Sequence, residues 1–246
     1  MEINEISRQS IGHYEALFNL CFPHSDLNKE YLEWLYFTNP LGDVVGFDAM
    51  DGNALVAHYA CIPTRVDGKI GLLALNTATH PSYRSRGIYK KIALKTFENW
   101  SSDFNFVVGV ANKLAAKACV RHLGFSEIGR LNLRFGDLRR PTIGARSWSH
   151  AELDWRVNSP RQQLEKRFVG DGLVELSMRP KNFPFKIKSI HSVQNIGLAE
   201  MELSKVREYG FTVDWIRDRK PQIQLPEKLK PSPLVMIYQT LSGLET

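Results

Sequence analysis

Apolar positions change period several times along the chain, and each change marks an element. Ile11, Tyr14, Phe18 and Cys21 recur at helical spacing, and Pro23 ends the helix they predict. A second short helix is expected to start from Ser25 or Asp26 as N-cap, run through Tyr31, Leu32 and Leu35, and stop at Thr38-Asn39-Pro40-Leu41-Gly42. The period then falls to two. Val44–Met50, Ala54–Val66 and Ile70–Thr79 read as strands joined at Asp51-Gly52-Asn53 and Asp67-Gly68. His80-Pro81-Ser82-Tyr83 breaks the third strand, after which Gly87–Trp100 reads as a helix, Phe104–Val110 as a strand, Lys113–Leu123 as a helix closed by Gly124, and Phe125–Phe135 as a strand. Strands, helix, strand, helix, strand predicts a mixed α/β fold, with a mostly antiparallel sheet and helices on both faces.

The character changes after Asp137. Arg139-Arg140-Pro141-Thr142-Ile143-Gly144 reads as a linker, which divides the chain into 1–138 and a smaller α/β region, 139–246. Trp34-Leu-Tyr-Phe-Thr-Asn39-Pro40 is echoed by Trp155-Arg-Val-Asn-Ser-Pro160, and each precedes a hairpin centred on Asp-Gly (Asp51-Gly52, Asp171-Gly172). Chance accounts for two short matches, and so does a reduced second copy of the first fold; both readings stay open.

Composition narrows the classes. In 246 residues, 43% hydrophobic, no apolar run approaches the eighteen or so residues of a membrane helix. The polar, acidic start Met1-Glu2-Ile3-Asn4-Glu5 resembles neither a signal nor a transit peptide, and the three cysteines, far apart and odd in number, suit a reducing cytoplasm. Seven histidines without metal-site spacing predict no metal. The net charge of +6 is spread out: 16 Lys+Arg face 14 Asp+Glu in residues 1–140, and 16 face 12 in 141–246. Such a surface suits small phosphorylated ligands better than nucleic acid, which draws positive charge onto one element.

Candidate chemistry concentrates at Thr77-Ala78-Thr79-His80-Pro81-Ser82-Tyr83-Arg84-Ser85-Arg86-Gly87-Ile88-Tyr89-Lys90. A strand runs into a tight loop and a helix begins at once, so free backbone N–H groups and the positive helix end converge on one point. Gly87 admits close approach of an anion, and Arg84, Arg86 and Lys90 add charge for a pyrophosphate or a 3′-phosphate. It is neither a Walker loop nor a dinucleotide fingerprint, because the glycines those require are missing. An ordinary basic loop capping a surface helix would show the same residues.

This segment resembles motif A of the Gcn5-related N-acetyltransferase (GNAT) superfamily, Arg/Gln-x-x-Gly-x-Gly/Ala, with Arg84, Gly87 and Tyr89 in the defined places; Tyr89 departs from the usual small residue. Asn112-Lys-Leu-Ala115 followed by a helix ending in Gly124-Phe125 resembles motif B. The likeness covers roughly residues 1–135 and implies a GNAT-like fold and transfer of an acetyl or other short acyl group from acyl-CoA to a primary amine, by direct attack in a ternary complex. It also implies that pantetheine runs beside Thr77, Ala78 and Thr79, that backbone N–H groups from Ser85 to Lys90 (including Ile88) hold the pyrophosphate, and that Asn112 lies near the pantetheine arm. Asn112 is equally suited to capping the helix after it.

The same likeness exposes two departures. The usual base position is Asn76, whose amide accepts no proton at neutral pH, and the usual acid position is Val120. His58 is the best substitute base; strict alternation places it on one strand face with Val56 and Ile62, where a structural, hydrogen-bonded histidine would also sit. Cys119 has no evident histidine partner for a nucleophilic role. Tyr31, Trp34, Tyr36 and Phe37 border the acceptor pocket in the implied fold, or simply fill the core. Trp34…Asn39-Pro40-x-Gly42, His58-Tyr59-Ala60-x-Ile62-Pro63, Thr77–Pro81 and Lys230-Pro-Ser-Pro233…Tyr238 resemble acyltransferases of bacterial surface-polysaccharide synthesis, which implies an amino-sugar acceptor, nucleotide-linked or free. A peptide or protein amine, and a non-catalytic acyl-CoA-binding role, remain alternatives. Acyl length and oligomeric state are not legible.

Overall fold

A computed structural model describes residues 1–23, 25, 27–66, 68–137, 147–170, 172–179, 184–193, 209–216 and 234–241. The proposed linker, the 138/139 division, Asp26, Asp67, Asp171 and Lys230–Pro233 lie outside them. The elements are β1 (Glu2–Glu5), α1 (Ile11–Cys21), α2 (Lys29–Phe37), β2 (Val45–Asp51), β3 (Ala54–Val66), β4 (Lys69–Thr79), α3 (Ile88–Trp100), β5 (Phe106–Asn112), α4 (Lys113–Leu123), β6 (Ser126–Asp137), β7 (Ser147–Trp148), α5 (His150–Val157), β8 (Glu165–Gly170), β9 (Leu173–Met178), β10 (Ile187–Val193), β11 (Tyr209–Ile216) and β12 (Leu234–Thr240).

The mixed α/β reading holds. One sheet runs β1-β2-β3-β4-β5-β12-β6-β11-β10-β9-β8, with β7 beside β10. It is antiparallel except at β4/β5, β10/β11 and β7/β10. The order is a palindrome about the β12/β6 pair: β2-β3-β4-β5-β12 on one side and β8-β9-β10-β11-β6 on the other, with a parallel step at the same place in each. Each region's last strand completes the other: β12 pairs β5 along its whole length, and β6 pairs β11 from Arg130 to Asp137. The Trp34 and Trp155 echo falls on α2 and α5. Their rings stack at 4.6 Å, and each indole N–H donates to the other's backbone carbonyl, at 3.2 and 3.4 Å. Reciprocal contacts of this kind belong to a two-fold relation.

Two helix pairs cover the first region. On one face α1 and α2 bury Ile11, Tyr14, Leu17, Phe18, Leu32, Leu35 and Tyr36 against Leu55, Ala60, Ile62 and Ala78. On the other, α3 and α4 bury Ile88, Ile92, Ala93, Phe97, Ala116, Cys119 and Leu123 against Phe47, Val56, Ala57, Tyr59 and Val107. Two expectations need correction. The N-cap of α2 is Asn28, whose side chain accepts from Tyr31 N–H at 2.9 Å, so the helix starts later than Ser25 or Asp26 would allow. And Val56 does not share a face with His58 and Ile62. A bulge, with Ala49 opposite Ala57 but Met50 opposite Leu55, inserts Val56 as an extra residue and turns it toward α3 and α4.

Candidate active site

Strands β4 and β5 pair only over Leu72–Ala74 and Val107–Gly109. Beyond Ala74 the two strands part, and among the described residues the β5-facing edge of Asn76, Thr77, Ala78 and Thr79 meets no strand. A bulge sits at this opening: His58 pairs with Ala78 but Ala60 with Leu75, so Asn76 and Thr77 together oppose Tyr59, and Asn76 takes a left-handed φ of 49°. Asparagine tolerates that conformation better than most residues. The β5 side of the gap carries Val110, 43% exposed, and Asn112; Leu114, at the start of α4, is 80% exposed. An apolar-lined slot with one unpaired strand edge can accept an extended chain that bears amide groups.

The loop at the end of β4 is shaped by its own side chains. His80 Nδ1 accepts from Ser82 N–H at 3.2 Å, which ties the histidine to the turn it begins. The Arg84 Nε–H donates to Thr79 O at 3.2 Å, and Arg86 donates to Ser82 O at 2.9 Å while its guanidinium lies over the Tyr83 ring. Ser85 (φ 62°) and Gly87 (φ 74°) are both left-handed, and α3 starts directly after Gly87 with no side chain capping it. Among the described residues the first-turn N–H groups therefore have no side-chain acceptor, which leaves them to attract an anion. Arg84, Ser85, Arg86, Gly87 and Lys90 are exposed, and among the described residues none of the three cations pairs with a carboxylate.

Three predicted residues face differently. Ile88 is buried between α3 and the sheet, so only its backbone is available to a ligand. Tyr89 does not crowd the loop: its ring packs on Tyr59, and its hydroxyl lies 3.1 Å from Cys119 Sγ. Burial, then Cys119, raises the Tyr89 phenol, and burial likewise raises the Cys119 thiol, which argues against a thiolate nucleophile there. Asn112 caps α4, its Oδ1 accepting from Leu114 N–H at 3.1 Å and Ala115 N–H at 2.9 Å.

His58 is 0% exposed and lies among Tyr14, Phe18 and Tyr36. Its Nδ1 is 2.6 Å from Asp48 Oδ1, and its Nε2 is 2.9 Å from the Tyr36 hydroxyl. The Tyr14 hydroxyl donates to Asp48 Oδ2 at 2.7 Å, and Asn76 Nδ2 donates to the Tyr36 hydroxyl at 3.2 Å. Burial pushes both phenols well up, Asp48 adding to the shift at Tyr14 and the Asn76 bond offsetting part of it at Tyr36. His58 thus reaches the opening only through Tyr36 and Asn76. Sequence reasoning missed Asp48 and the bond to Tyr14. The available signal was a lone carboxylate inside the apolar strand Val44–Met50, since an unpaired buried carboxylate is rare. Among the described residues no group of His, Cys, Asp and Glu could hold a metal ion, and no helix is long and apolar enough to cross a membrane.

Comparison of the whole chain with solved structures places this geometry. A structure from Enterococcus faecalis, described as a conserved protein of unknown function and probable N-acyltransferase, superposes on 98% of this chain and 72% of its own at TM-score 0.57 and 9% identity. The fold is GNAT-like. Aminoglycoside 6′-acetyltransferase type Ii matches 54% of this chain and 87% of its own (TM-score 0.45, 20% identity). A GNAT family N-acetyltransferase from Escherichia coli, solved with CoA, matches 51% and 68% (TM-score 0.40, 15% identity). No protein-family model matches the sequence, and no curated protein sequence matches it.

Proposed function

We propose that the protein is an acyl-CoA-dependent N-acyltransferase that moves an acetyl or other short acyl group to a primary amine in a ternary complex. The observation that carries this is the junction of the parted β4 and β5 edges with the turn through Ser85 and Gly87, both left-handed, at the start of α3. Pantetheine would lie along Thr77–Thr79 as an added strand. The pyrophosphate would take the N–H groups of Ser85 to Lys90, with Arg84, Arg86 and Lys90 supplying charge and Asn112 Nδ2 facing the arm. Acyl-CoA is the co-substrate and no metal is required. The amine nitrogen attacks the thioester carbon, the C–S bond breaks, the CoA thiolate leaves, and one amine proton goes to solvent or the departing sulfur. Alignment in such a slot can contribute up to roughly 7–11 kcal/mol, and a general base about 10²–10⁴-fold. With an amide at Asn76, a valine at position 120 and His58 enclosed, alignment carries most of the rate.

The acceptor we favour is an amino sugar, free or nucleotide-linked, which rests on the likeness of Trp34…Gly42, His58–Pro63 and Lys230–Tyr238 to polysaccharide-associated acyltransferases. A cytoplasmic location is supported by three free thiols, Cys21, Cys61 and Cys119. Residues 139–246 we read as a reduced repeat of the first region, supported by the palindromic strand order and the Trp34/Trp155 pair. A non-catalytic acyl-CoA binder is the second reading, favoured by the absence of a side-chain base at Asn76 and an acid at Val120. Purified protein supplied with acetyl-CoA and a panel of amino sugars, nucleotide-linked amino sugars and peptides separates them. Amine-dependent release of CoA thiol supports the enzyme, and tight acetyl-CoA binding with no turnover on any amine supports the binder.

A further inference from the structure

We propose that Asp48, acting through His58 and Tyr36, fixes the Asn76 side-chain amide with its carbonyl oxygen toward the β4/β5 opening, where it accepts a hydrogen bond from the incoming amine. The inference rests on the N-acyltransferase reading and assigns the acceptor-side contact within it.

An ionised carboxylate only accepts, so His58 Nδ1, at 2.6 Å from Asp48 Oδ1, must bear hydrogen. In a neutral ring Nε2 is then bare and can only accept, and the Tyr36 hydroxyl at 2.9 Å donates to it. Tyr36 has one hydrogen and has used it. Its oxygen is free to accept, which selects the Nδ2 end of Asn76 at 3.2 Å. Every bond in the series runs one way, from Asn76 through Tyr36 and His58 to Asp48. The reverse amide on a neutral ring would set the bare Nδ1 against the carboxylate at 2.6 Å, two acceptors face to face. The far end is held too: Tyr14 donates to the other Asp48 oxygen at 2.7 Å and accepts from Ser7 N–H at 3.3 Å. The high pKa that burial gives both phenols keeps them donors at neutral pH.

The two ends of a planar amide diverge, so Nδ2 pointing in at Tyr36 directs Oδ1 away from it. Asn76 is half-buried, stands past the last β4/β5 pair, and is held in a left-handed bulge. An amine must aim its lone pair at the thioester carbon and its N–H groups elsewhere; a carbonyl oxygen beside β4 complements an N–H, whereas an NH₂ there would oppose it. Asn76 is thus the contact residue, and Tyr36, His58 and Asp48 are positioning residues.

Asp48→Asn tests this because it can keep every hydrogen bond while reversing them. The new amide accepts from Tyr14 with its oxygen and donates to His58 Nδ1; Nε2–H then donates to Tyr36, Tyr36 donates to Asn76 Oδ1, and the Asn76 NH₂ turns outward. With acetyl-CoA as donor and the best amine from the panel above, kcat/KM for the amine should fall at least about 10-fold. KM and Kd for acetyl-CoA should stay unchanged, and Asn76→Ala should show the same split. The double variant should be no worse than Asn76→Ala alone. Tyr36→Phe, which unhooks the amide without touching the carboxylate, gives the same split and covers the case in which Asp48→Asn fails to fold. Full amine kcat/KM in all three variants, or strictly additive losses, would overturn the inference while leaving the enzyme reading intact. A wild-type protein that acylates no amine would overturn both.

Discussion

The loop after β4 and the Asp48–His58–Tyr36–Asn76 series lie at either end of the last four residues of β4, and they are built on opposite plans. The loop is exposed, presents backbone N–H groups and depends on two left-handed residues, Ser85 and Gly87. The series is enclosed, works through side chains from α1, α2, β2, β3 and β4, and depends on the direction of each hydrogen bond. A backbone site tolerates changes of side chain except where conformation is at stake. A buried polar series tolerates almost none, because each member satisfies the next.

The largest expected effect is in the series. His58→Ala leaves the Asp48 carboxylate enclosed with Tyr14 as its remaining side-chain donor and opens a void, which should destabilise the protein by about 3–5 kcal/mol in denaturant titrations. Survival of the variant at wild-type stability would mean the series is not held as described. Next is Gly87→Val in the loop. No atom crowds the Cβ position, so the loss comes from a β-branched residue at φ 74° and from the anion it would meet. About 1–3 kcal/mol of strain corresponds to roughly 10–100-fold weaker acetyl-CoA binding by calorimetry. Unchanged affinity would sink the loop assignment. Asn112→Ala removes two accepted N–H bonds at the start of α4 and should cost about 1 kcal/mol of stability, alongside a loss in acetyl-CoA affinity if Nδ2 reaches the arm. A stability loss with full affinity would make Asn112 a cap alone. Arg86→Ala is the mildest: exposed and flexible, it should weaken acetyl-CoA binding a few-fold at low salt and less at high salt, where its charge is screened. Salt-independent loss would point to packing on Tyr83 instead.

The same contrast decides what was legible in the sequence. The loop was readable because its signals are local: a strand, His80-Pro81, then Gly87 and a helix, within a dozen residues. The strands and helices of the first region were readable for the same reason, apart from β1, whose polar residues carry no apolar alternation, and ends such as the α2 cap. The series was not, because it joins Tyr14, Tyr36, Asp48, His58 and Asn76 across five elements, and nothing local requires them to meet. Even the face of Val56 was missed, since an inserted residue shifts the period without any mark in composition. The exchange of β6 and β12 is likewise a property of pairing: both strands look ordinary on their own, and only their partners reveal the palindrome.

Whether the loop after β4 holds acyl-CoA is decided by titration calorimetry of the purified protein with acetyl-CoA, against ATP and NAD as controls. The account predicts selective micromolar binding of acetyl-CoA that Gly87→Val weakens. Absence of binding, or equal binding of ATP, would contradict it and leave the loop to another anion.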